Sequence, residues 1–232
     1  MSLGGNWTGQ KALAEHRKGN YPAALSLYRD AFQKGMNKAA LLKSYAALLV
    51  RQSCFDEALE VLKATEKAPG LTEKDRTEIL VNYAIVLWKK GHVDHAMELL
   101  EQRLKKTKSG LIFSVAGYLA IETGDKEKAL VINKQALEYD EADPIFLDNM
   151  GQTLLRLFDD KKEARTYFER ALKLKPTAID TNYFLALMDI EDGQPDSARE
   201  KLLVAQKGNF SPLNYATPEK IKEALHETES IG

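Results

Sequence analysis

The stretch GQTLLRLFDDKKEARTYFERALKLKP, residues 151–176, holds two apolar helical segments separated by the polar pair Asp159-Asp160. In the second segment Ala164, Phe168, Ala171 and Leu172 recur at three- and four-residue steps, which puts them on one face of an α-helix. Each segment also carries a small residue, Gly151 in the first and Ala164 in the second. Two antiparallel helices joined by a tight turn interdigitate closely only where a side chain is missing at their crossing. The stretch therefore predicts a helix hairpin.

Working outward, the same hairpin is written six times. The second-helix alanines are Ala24, Ala58, Ala96, Ala129, Ala164 and Ala198, at intervals of 34, 38, 33, 35 and 34 residues. Their first-helix partners are Ala12, Ala46, Ala84, Gly117, Gly151 and Ala186. Gly19, Gly91, Gly124 and Gly193 stand between the two helices of four repeats, suited to the left-handed residue that ends a helix. Ser53 and the Asp159-Asp160 pair take that place in the other two. Asp143-Pro144 and Thr217-Pro218 read as helix starts, a capping side chain followed by proline. The longest interval spans Ala68-Pro69-Gly70, so Thr72 is expected to cap a lengthened helix. Strand alternation is absent, and the fold class is all-α.

The chain resembles the tetratricopeptide repeats over about residues 6–208. The likeness is clearest in Gly151, Leu154, Ala164, Tyr167, Phe168, Ala171, Leu172 and Pro176, and nearly as good in Gly19-Asn20-Tyr21 with Ala24, Tyr28 and Ala31. It departs where the small residue late in the second helix becomes Thr65 or Arg103. The resemblance implies a right-handed superhelical solenoid of six antiparallel helix pairs, at about 6–36, 39–69, 72–108, 110–142, 144–176 and 178–208. Residues 209–232 are then a linker and a C-terminal capping helix. In that helix Ile221, Ala224 and Leu225 form an apolar stripe for the sixth repeat. Facing positions of the first helices turn charged at the two ends, Glu15 and Asp189, as expected of terminal repeats with one neighbour fewer.

The resemblance also implies that the first helices line a concave face. Positions one and four after each small residue, and three before it, share a stripe turned away from the core stripe. The stripe and its neighbours carry large side chains: Ile85 and Trp88, Tyr118 and Ile121, Gln152 and Leu155, Tyr183 and Phe184. Asn82 and Asn149 stand on the same side, with amides able to hold a peptide backbone. These ten residues are the candidate site, a groove for a partner helix or extended peptide. In the alternative, a tightly wound superhelix makes the same side chains bury one another. The lysine and asparagine clamp by which some family members hold an acidic carboxyl terminus is not matched, since Lys43 stands alone.

Other classes are disfavoured by composition and motif. Of 232 residues 44% are apolar and 29% charged, as in globular proteins, and 33 basic against 34 acidic side chains leave no charge excess for nucleic acid. One cysteine, Cys54, excludes an intramolecular disulfide. No phosphate loop, nucleophile elbow or zinc-protease helix occurs, so no enzyme and no cofactor are expected. His92 and His95 have ligand spacing but no third ligand nearby, and read as a solvated turn rather than a metal site. The basic run Arg103, Lys105, Lys106 and Lys108 suits the end of a helix. No apolar stretch is long enough for a membrane span.

The expected function is a protein-interaction scaffold binding an unknown protein or peptide. A self-associating homo-oligomer and a regulatory module of a larger complex are the alternatives. The expected location is the cytoplasm. However, Met1-Ser2-Leu3-Gly4-Gly5 reads like an added start, and if a leader or anchor preceded it, the chain is the soluble part of an anchored or exported protein.

Overall fold

The computed structural model describes residues 2–231, and side chains for 3–230. Every regular element among them is helical. The chain forms two compact units, Met1–Gln102 and Arg103–Gly232.

In the first unit α1 (Ser2–Arg17) pairs with α2 (Tyr21–Gln33), and α3 (Ala39–Arg51) with α4 (Phe55–Glu66). They are followed by α5 (Glu73–Lys89) and by α6 (Val93–Leu104), which runs past the unit's end. First helices stack on first helices, α1 on α3 and α3 on α5. The small residues Ala12, Ala46 and Ala84 are fully buried, as are Ala24, Ala58 and Ala96. This is the burial expected at close helix crossings. Thr72 caps α5 as its sequence predicts. Its Oγ1 accepts from the backbone N–H of Asp75 at 3.2 Å, and the Asp75 carboxylate accepts from the N–H of Thr72 at 2.8 Å. Thr65, a departure from the small-residue pattern, is buried with its hydroxyl donating to the Val61 carbonyl at 2.6 Å.

The second unit contains α7 (Gly110–Glu122), α8 (Lys126–Tyr139), α9 (Pro144–Thr153), α10 (Lys161–Leu174), α11 (Ile179–Glu191), α12 (Pro195–Gln206) and α13 (Pro218–Ile231). The pairs are α7 with α8, α9 with α10 and α11 with α12. Inner and outer helices differ in pattern because they differ in neighbours. α10 buries only Ala164, Phe168 and Ala171 and turns its charges to water, whereas α7 and α11 are buried almost all round. Two glycines allow close approaches between paired helices. A Cβ on Gly117 would stand 2.1 Å from Asn133 Oδ1, and one on Gly151 would stand 2.7 Å from the Phe168 ring.

α9 ends in a way the other first helices do not. It continues as a π-helix, Leu154–Phe158. Seven residues separate the small residue from the left-handed turn residue in five repeats, as from Gly117 to Gly124, but eight separate Gly151 from Asp159. The extra residue is absorbed as a wider helical turn. The closing bond, from Asp160 N–H to Leu154 O at 3.0 Å, accordingly reaches back one residue further than its counterparts, such as His92 N–H to Leu87 O.

α13 packs on α12 and α11, with Ile221 and Ala224 buried. The last repeat is thus covered, as expected of a capping helix, whereas the expectation of a polar terminal face at Asp189 is corrected by groups of α10 and α12. That residue is buried, and its carboxylate accepts from Arg165 at 2.8 Å, Lys201 at 2.6 Å and Ser197 at 2.8 Å. Those bonds hold its pKa below the usual carboxylate range although burial opposes them. Glu15, in α1, pairs with Lys18 at 2.8 Å and accepts from Asn20 at 2.9 Å.

Candidate functional site

The ten candidate residues fall in two places. On α5, Ile85 is buried while Asn82 and Trp88 are half-buried. In the second unit Tyr118 and Ile121 (α7), Asn149 and Gln152 (α9), and Tyr183 and Phe184 (α11) are buried, and Leu155 in the π-helix is partly so. Each asparagine amide already donates to the chain itself. Asn82 Nδ2 donates to the Glu78 carbonyl at 3.0 Å, and Asn149 Nδ2 to the Ser114 carbonyl at 3.0 Å. Buried amides must find such partners, and here the chain's own backbone supplies them.

The aromatic residues of α11 are covered by the chain's own C-terminal segment. Tyr215 stacks on Phe184 with ring centroids 5.0 Å apart, and Phe184 stacks on Phe168 at 5.3 Å. The Arg156 guanidinium lies 4.2 Å from the Tyr215 ring centroid and Lys220 Nζ lies 3.3 Å from it. The backbone N–H groups of Tyr215 and Ala216, at 3.2 and 2.9 Å, and the Asn214 amide, at 3.3 Å, all donate to the Asp180 carboxylate. Nothing in the helical periodicity announces Tyr215, because it lies in an irregular segment.

An open cavity of about 620 Å³ remains beside this strap. Its walls come from α7, α9 and the start of α11, from the loop before α11 and from residues 207–214. Leu111, Ser114 and Tyr118 line it at helical spacing on α7, and Ile145 and Asp148 do so on α9. Leu111 and Ile145 are each 43% exposed. Of the ten candidates only Tyr118 and Asn149 reach the cavity. The others pack elsewhere. The stripe rule held the missing signal, since three residues before Gly117 and Gly151 stand Ser114 and Asp148. Selecting large side chains passed over both.

Two carboxylates line the cavity. Asp148 accepts from Thr181 Oγ1 at 2.5 Å and from Gln152 Nε2 at 2.7 Å. Burial, and then the charge of Asp180, raise its pKa against those bonds. Asp180 is raised by burial, against the three donors of the strap. The charge of Arg156 acts on Asp180, but its guanidinium is directed to Glu122 at 2.7 Å and to Gln152 at 3.1 Å. Burial and the nearby Glu122 push the Tyr118 phenol well above its ordinary range, so it stays neutral. Among the described residues no group of three or more potential ligands is placed to hold a metal ion. No helix there is long and apolar enough to cross a membrane.

Solved structures with this arrangement include tetratricopeptide-repeat proteins. A tetratricopeptide-repeat protein from Parabacteroides merdae superposes with a TM-score of 0.77 at 15% identity, over 96% of this chain and 83% of its own. PilW, described as a widely conserved type IV pilus biogenesis factor, superposes with 0.67 at 17% identity, over 96% and 99%. A thermophilic repeat protein of this kind from Thermus thermophilus gives 0.63 at 18% identity, over 83% and 98%. Identities this low establish the fold alone. No curated protein matches by sequence. Residues 146–177 match the family model of the tetratricopeptide repeat. That matched repeat lies inside a fold that the chain shares with tetratricopeptide-repeat proteins along most of its length.

Proposed function

We propose that the chain is a non-enzymatic interaction scaffold, and that its second unit takes a segment of a partner polypeptide in the cavity bordered by α7, α9, α11 and the strap. The observation that carries this reading is the cavity itself. About 620 Å³ lies open along the first helices of three successive repeats, with exposed Leu111 and Ile145 beside buried polar groups. Apolar walls with a few fixed polar groups are the usual make-up of a binding site. The aromatic cluster of Tyr183 and Phe184 then acts as support for the strap rather than as the contact surface. Trp88 and its neighbours on α5 are not needed for this site.

Selection of a randomised nine-residue display library on the full chain tests the reading. Binders are expected to be lost on Leu111→Arg and Ile145→Arg, since both positions are exposed and a charge there leaves the core intact. Binders that ignore both substitutions would place the site elsewhere.

A further inference from the structure

The cavity is unevenly furnished. Its apolar walls include Leu111, Ile145 and Leu213, and its polar lining includes half-buried Asp148 and buried Asp180. The hydrogen-bond partners of these carboxylates are neutral: a threonine hydroxyl and a glutamine amide for one, an asparagine amide and two backbone N–H groups for the other. Arg156, whose charge acts on Asp180, has its guanidinium engaged by Glu122 and Gln152. Two acidic groups thus line an open space with no cation among their hydrogen-bond partners, Lys175 and Arg156 acting on Asp148 and Asp180 only through charge at longer range, in surroundings where a charge pair interacts more strongly than in water.

Resting on the groove reading above, we propose that this cavity seats one lysine or arginine side chain of the partner segment, its alkyl stem along Leu111, Ile145 and Leu213 and its cationic head at Asp148 and Asp180. Long basic side chains combine an apolar stem with a charged tip, which matches apolar walls leading to carboxylates. Lys175 and Lys207, both exposed, also border the cavity. They repel further cations, so the preferred partner carries a single basic residue between apolar ones rather than a basic run.

The library binders provide the test. Those lost on Ile145→Arg are expected to share one lysine or arginine. Replacing it by methionine is expected to weaken binding to the wild-type chain by about tenfold or more, and to change little on Asp148→Asn. Asparagine is isosteric and keeps the acceptor for Thr181 but turns an amide donor towards Gln152 Nε2, so the thermal unfolding of the variant is measured alongside to separate loss of folding from loss of binding. Binders lost on Ile145→Arg but sharing no basic residue would overturn the inference and leave the groove reading standing. A shared basic residue whose replacement costs the same on Asp148→Asn would do likewise. A library that yields no binder lost on Ile145→Arg would overturn both.

Discussion

At the scale of single residues, Gly117 and Asp148 carry the clearest consequences. The space in front of Gly117 is taken by Asn133 Oδ1 and Asn149 Nδ2, which would stand 2.1 and 2.9 Å from a new Cβ. Gly117→Ala is therefore expected to destabilise by about 1–3 kcal/mol, measured by urea unfolding. Asp148 and Asp180 are raised by burial, and Asp148 further by its neighbour's charge. A carboxyl that binds its proton more tightly folded than unfolded costs stability when ionised, and that cost disappears as pH falls through its raised pKa. Asp148→Asn should accordingly raise Tm at about pH 8, by roughly 3 °C, and the gain over wild type should vanish towards about pH 5. Asp189 acts in the opposite sense. Its lowered pKa gives stability that is present above the ordinary carboxylate value and is lost only at lower pH.

At the scale of the element, the turn between paired helices was plain in the sequence, down to its exceptions. Ser53 adopts φ 57° and Asp159 φ 56°, where Gly19, Gly91, Gly124 and Gly193 also have positive φ. Ser53 is exposed and makes no use of its Cβ there. Ser53→Gly should stabilise by about 1 kcal/mol, read as a higher denaturant midpoint with an unchanged slope. The π-helix was legible only as arithmetic. One extra residue before Asp159 could have been looped out, but the helix kept it and widened a turn, because Leu154 before it and Ala164 after it are both held by packing. Arg156 lies in that widened turn, and from there its guanidinium reaches Glu122 and Tyr215.

At the scale of the whole molecule, the repeats within each compact unit lean on one another, and the last leans on α13. Ile221 is fully buried in the cluster that includes Phe184 and Leu202. Ile221→Ala should cost about 2–5 kcal/mol. In a repeat array such a loss falls mainly on the nearest units. Hydrogen exchange should therefore lose protection over residues 178–231 first, while residues 110–142 keep theirs. Simultaneous loss across both regions would show that the second unit unfolds as one block.

Sequence alone determined the all-helical class, the six hairpins and the capping helix. Those depend on local spacing: small residues at crossings, glycine or its substitutes at turns, and apolar stripes at helical period. Which inner side chains stay accessible was decided only in three dimensions. Asn149 turned to a carbonyl of the preceding repeat, and Tyr215 came from an irregular segment to cover Phe184. Asp148 was left lining a cavity beside Asp180, 32 residues further along the chain. Helical periodicity fixes the face a residue occupies, but burial depends on what else arrives at that face, and that is set by contacts between residues far apart in sequence.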